Sequence, residues 1–232
     1  NSHVYAIAGD YEIKISGNIT DFAFSNTGDK DKILEVSNFG GLDLIVSCFY
    51  GCSNLINVNS DSRKSVTSSI SRCFQNTINL TSIPPIKIVN TETGFFSLFE
   101  GSSLINQTLD VIGGENVDNA GNMYKDATSY NQPITFDSQN VTNFSQFLRD
   151  ATSYNQPITL DFSSAASMPL FFFGCSSFNQ KINFNTSNVS NFSSFLRGCV
   201  NFNKNVELLT GNANNLSSFF NGASIFNSDV SF

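Results

Sequence analysis

Acids, thiols and a single histidine are the side chains of this sequence that could make or break bonds. Asp110, Asp137, Asp161, Glu207 and Asp229 fall on or beside segments that alternate polar and apolar residues. Carboxylates gathered there could hold a calcium ion through oxygen ligands, or act together on a glycosidic bond. The five do not all recur at one position, so they read as solvated surface. His3 is the one histidine and lies near a terminus, where it reads as solvated; no Ser-His-Asp or Cys-His system can be assembled from the rest. Zinc needs clustered Cys and His, and the five cysteines contain no C-x-x-C. Gly113-Gly114 is followed by no phosphate-binding lysine. The expectation is a protein that is not an enzyme and uses neither cofactor nor metal.

What positions these residues is a repeat. Small residues recur at Cys52, Thr77, Ser102, Ala127, Ala151, Cys175, Cys199 and Ala223, separated by 25, 25, 25, 24, 24, 24 and 24 residues. Three positions after each comes Leu55, Leu80, Ile105, Tyr130, Tyr154, Phe178, Phe202 or Phe226. A fixed period of this size means one supersecondary unit stacked on copies of itself. The same spacing puts Cys48 with Cys73, and Cys175 with Cys199, in neighbouring coils, about 4.8 Å apart along a stack. That lies within disulfide range, but side chains in register point the same way, so buried free thiols are favoured, with pairing the alternative.

Within each unit two apolar periods alternate. Ile134/Phe136, Ile158/Leu160, Ile182/Phe184, Val206/Leu208 and Val230/Phe232 are two apart, as on a short strand with one face inward. Val141, Phe144, Phe147 and Leu148 follow a spacing of three, three and one, which predicts a helical turn or short helix on the return side. Asn recurs at 106, 131, 155, 179, 203 and 227, and again at 119, 143, 191 and 215. Its amide can satisfy backbone groups at tight corners and bond along the stack. The first 47 residues lack the repeat: residues 11–15 and 19–24 alternate around Gly17-Asn18, predicting a hairpin, and residues 32–36 predict a further strand. The expected fold is thus an α/β solenoid, leucine-rich-repeat-like. It has about eight coils of 24–25 residues, one short parallel strand and a helical or irregular return per coil. Residues 1–47 form its β cap and 48–232 a single elongated domain.

Composition narrows the partners. Net charge is −7, and the 12 Lys plus Arg are scattered, so the basic stripe that nucleic acid requires is missing. Docking on an anionic membrane is disfavoured for the same reason. The longest apolar run, residues 168–173, contains Pro169 and is far shorter than the ~20 residues of a membrane span.

Residues 174–199, GCSSFNQKINFNTSNVSNFSSFLRGC, resemble the 25-residue repeat of bacterial and mycoplasma-type surface proteins. Residues 73–86, CFQNTINLTSIPPI, resemble the BspA-like leucine-rich repeat. The chain departs by using Phe or Leu where the repeat often has Met, and Phe136, Leu160 and Phe184 where it often has Trp. The resemblance implies display and adhesion outside cells, with similar repeats in viral and phage structural proteins, and no catalytic residues to carry over.

The expected working surface is the outward strand face. It comprises Pro133, Thr135 and Asp137, then Pro157, Thr159 and Asp161, then Lys181, Asn183 and Asn185, then Asn205 and Glu207. Its expected partner is a protein or glycan on another cell or particle, with the chain at a cell surface or on a virion. The alternative is a structural or appendage subunit of a virion, phage or extracellular fibre. The sequence stops at Phe232 inside a strand pattern, with no polar closing coil, so such a subunit is expected to dock a neighbour through its last coil.

Overall fold

The computed structural model describes residues 7, 9–17, 19, 22–89 and 93–232. Over them the chain winds as a parallel β-solenoid of about eight coils. Its strands are β1 (Glu35–Val36), β2 (Asn57–Val58), β3 (Lys64–Val66), β4 (Ile86–Ile88), β5 (Thr93–Gly94), β6 (Val111–Ile112), β7 (Val117–Asn119), β8 (Ile182–Phe184), β9 (Val206–Leu208) and β10 (Val230–Ser231). Every pair among them is parallel. Ile182 faces Val206 and Phe184 faces Leu208, so one period carries each apolar residue onto its copy.

The spine is not one uninterrupted sheet. Sheets β3-β4-β6 and β8-β9-β10 are separated by two coils in which residues 134–136 and 158–160 keep the inward–outward alternation without forming strands. Pro133 and Pro157 open those segments. In the coils that do pair, the inter-coil bond is donated one residue further on, by Ile182 to the Asn205 carbonyl and by Val206 to the Asp229 carbonyl, so each proline borders the gap rather than removing a donor from it.

The return side is not helical. Among the described residues the only helical elements are two 3-10 turns, Lys30–Lys32 and Gly114–Asn116. Residues 144–151 instead form consecutive tight turns whose N–H groups are all accounted for. Phe144, Gln146, Leu148 and Asp150 donate to Ser167, Pro169, Phe171 and Phe173 of the next coil at 2.7–3.1 Å, while Phe147, Arg149 and Ala151 close turns onto the residue three back. Ser145 donates to Asn143 Oδ1 at 2.9 Å. A chain of three-residue turns repeats its apolar positions every three residues, which is why the spacing imitates a helix. Two residues per coil take positive φ, four apart: Asn122 and Asp126, Gln146 and Asp150, Leu170 and Gly174, Ser194 and Gly198. Those bends break any helix and aim alternate N–H groups along the stack.

The N-terminal segment differs from a hairpin cap. Residues 11–15 and 22–24 form no strand, and Asn18, Thr20 and Asp21 lie outside the described residues. The later strand exists as β1, but it pairs in parallel with β2. Phe24 and Asn26 donate to Cys48 and Tyr50 carbonyls at 2.8 and 3.0 Å. The exposed edge of a parallel stack is completed by another parallel turn of chain, and that is what these residues supply.

The interior is a run of stacked rings. Tyr130, Tyr154, Phe178, Phe202 and Phe226 follow one another at 6.1, 6.3, 5.8 and 5.6 Å. A second column, Phe49, Phe74, Phe99 and Tyr124, joins the first where Tyr124 lies 4.0 Å from Tyr130. All five cysteines are buried and unpaired. Cys175 and Cys199 donate to the Leu148 and Phe172 carbonyls at 2.9 and 3.0 Å. Burial pushes the Cys52 and Cys199 thiols up to about 12, which makes them inert packing groups.

Candidate functional site

The strand face is built from an asparagine ladder upward. Asn155 N–H donates to Asn131 Oδ1, and Asn179 N–H to Asn155 Oδ1, both at 2.9 Å. Each amide oxygen thereby satisfies a corner N–H of the next coil. Gln156 and Gln180 reach back to the same oxygens at 3.2 and 3.0 Å. These glutamines immediately precede Pro157 and Lys181, so they fix where each outward segment begins.

The far end of the face is pinned as firmly. Ser138 Oγ accepts from Asp161 N–H at 2.8 Å and donates to the Asp161 carbonyl at 2.9 Å. Asp137 and Asp161 each accept the N–H two residues on, from Gln139 at 3.1 Å and Ser163 at 2.8 Å. Asn185 accepts from Ser187 at 3.4 Å. The Ser163 N–H and hydroxyl hold the Asp161 carboxyl below its usual range. These three residues therefore shape corners as well as facing solvent.

Between the two ends the sequence-predicted residues fall into three columns. Pro133, Pro157, Lys181 and Asn205 form one, Thr135, Thr159, Asn183 and Glu207 the second, and Asp137, Asp161 and Asn185 the third. All are exposed except Glu207, which is half-buried. Asn183 and Glu207 are direct register partners. Lys181 Nζ lies 2.7 Å from Glu207 Oε1, a surface pair whose energetic worth is small. Thr135 and Thr159 make no side-chain hydrogen bond among the described residues, so their hydroxyls are free for a ligand.

The acids do not converge. Asp137 and Asp161 share a column, but Asp110 is held bidentately by Arg63 at 2.8 and 2.9 Å and Glu207 by Lys181. Among the described residues no three metal-ligating side chains come together. His3 lies outside the described residues. Sequence reasoning missed the Gln156/Gln180 column, whose signal was the Asn-Gln pair repeating at 131–132, 155–156 and 179–180, and the Ser138 bridge, which has no such signal. This face presents hydroxyls, amides and charges at fixed spacing.

A tandem-repeat parallel β-solenoid with a polar strand face is the class that fold and surface define. Over residues 68–183 and 159–232 the sequence matches the family described as Mycoplasma protein of unknown function, DUF285, and the chain belongs to that family. No curated protein and no solved structure matches it. Among the described residues no helix is long and apolar enough to cross a membrane.

Proposed function

We propose that the chain is a non-enzymatic binding module displayed at a cell surface, and that it adheres through the outward strand face. The carrying observation is the alignment of Thr135, Thr159 and Asn183 in one exposed column, anchored at one end by the asparagine ladder and at the other by the Ser138 bridge. A preorganised polar surface binds with little ordering cost, and small hydroxyls and amides match the hydrogen-bonding groups of a glycan or a protein backbone. The likeness of residues 73–86 to BspA-like repeats supports display and adhesion.

The test is binding of labelled protein to a glycan array and to cultured animal cells. Joint Thr135→Ala, Thr159→Ala and Asn183→Ala substitution is expected to weaken binding at least about tenfold with an unchanged melting profile. Undiminished binding by a folded triple variant removes this face from consideration.

A further inference from the structure

The turn runs form a second surface, and one coil of it differs from its neighbours. Three positions of each run point away from the core. Around the coil that starts at Ala151 they are occupied by Ser145, Gln146 and Arg149 on one side and by Ser193, Ser194 and Arg197 on the other. In the coil itself they are Pro169, Leu170 and Phe173, all partly exposed. Leu170 has φ 55°. The equivalent left-handed position holds Ser, Arg, Asn or Gln in the other coils, so Leu170 is the one branched aliphatic side chain carried there. A residue with a Cβ adopts this conformation at a cost, and here that cost accompanies an apolar side chain turned outward.

The ring of Phe173 is flanked by two guanidiniums, Arg149 at 5.2 Å and Arg197 at 5.5 Å. Stacking on a ring fixes the plane of an arginine. Arg149 already donates to Gln146 Oε1 at 2.8 Å and Asp150 Oδ2 at 3.2 Å. The Arg197 guanidinium has no acidic or hydrogen-bonding partner among the described residues, so a pre-oriented fork of donors faces solvent beside an apolar knob.

We propose that Leu170, Phe173 and Arg197 form a docking surface for a protein segment that presents a carboxylate next to an aliphatic or aromatic side chain. The carboxylate takes the Arg197 fork bidentately, and the apolar side chain packs on Leu170 and the Phe173 edge. Arginine and aromatic residues are the types that concentrate binding energy at protein contacts. A sugar is the poorer fit, because stacking on Phe173 needs an open ring face and two guanidiniums already lie over the ring. Nucleic acid is opposed by the net charge of −7.

The experiment pans a phage-displayed library of random linear peptides on the immobilised full chain, then measures synthetic copies of the recovered peptides. Recovered sequences are expected to carry Asp or Glu close to Leu, Ile or Phe. Leu170→Ser and Arg197→Glu are each expected to weaken binding about tenfold or more, and Arg197→Lys by less. The strand-face triple variant is expected to bind like the parent, which separates this surface from the adhesive one. Leu170→Ser installs the residue of the next two coils, and thermal melts of every variant confirm folding. The proposal is overturned by recovery of no peptide, or by peptides indifferent to both substitutions. Binding of sulfated or sialylated glycans through Arg197 in place of peptide overturns it equally.

Discussion

The Tyr154 hydroxyl is buried with no hydrogen-bond partner among the described residues. A desolvated hydroxyl that bonds to nothing lowers stability, and removing it leaves the packing intact. Tyr154 sits in the same column as Phe178 and Phe202, so Tyr154→Phe repeats a ring the next coils already accommodate. This variant is expected to be more stable by about 1 kcal/mol in urea titration; a lower midpoint would show that the hydroxyl is satisfied by ordered water. Burial, then the neighbouring Tyr130, raises the Tyr154 phenol above its usual value. A raised folded-state pKa contributes stability that is complete below the unfolded phenol value of about 10 and is lost as pH climbs past it. The advantage of Tyr154→Phe therefore widens above that pH. The buried Cys199 thiol, near 12 when folded, acts in the same direction from about pH 8.5 upward.

At the scale of the coil, backbone satisfaction outweighs strand content. The ladder of asparagines, the tight turns and the parallel bridges Asn119–Asn143, Asn143–Ser167, Ser167–Asn191 and Asn191–Asn215 replace a continuous sheet. Asn155 serves two coils, accepting from Asn179 N–H and Gln180 Nε2 while its own N–H donates to Asn131. Asn155→Ala leaves the Asn179 N–H without its acceptor and is expected to cost about 1–3 kcal/mol. Thr159→Ala, whose side chain makes no hydrogen bond among the described residues, is expected to stay within about 0.5 kcal/mol. Equal effects in denaturant titrations of the two variants would mean that the ladder is decorative. The ladder was legible because asparagine recurring every 24 or 25 residues has few other reasons to do so. The turn runs were not, since residues such as Gln146, Leu170 and Ser194 give no local signal for positive φ.

Over the whole molecule, each coil packs chiefly on its neighbours, with the Arg63–Asp110 ion pair reaching one coil further, so stability approximates a sum of coil and interface terms. The 24-residue unit 151–174 can then be excised as a block. Joining Asp150 to Cys175 reproduces the Asp150–Ala151 junction, and Phe178 falls under Tyr130 in place of Tyr154. The excised protein is expected to keep its far-UV circular dichroism per residue and a cooperative melt at somewhat lower temperature. Loss of cooperative melting would contradict nearest-neighbour stacking. The excision also removes Leu170 and Phe173, so peptide binding is expected to vanish while the strand face of the remaining coils persists.

By itself the sequence determined the period, the apolar columns, the outward residues and the asparagine ladders, because a side chain that must meet its own copy every coil leaves a fixed spacing in the chain. Tertiary structure alone decided three things. Tight turns stand in place of a helix, the strand ladder breaks at Pro133 and Pro157, and Leu170, Phe173 and Arg197 come together on one surface. Each of these depends on where backbone N–H groups point and on which side chains neighbouring coils bring into contact, and such relations exist only once the coils are stacked.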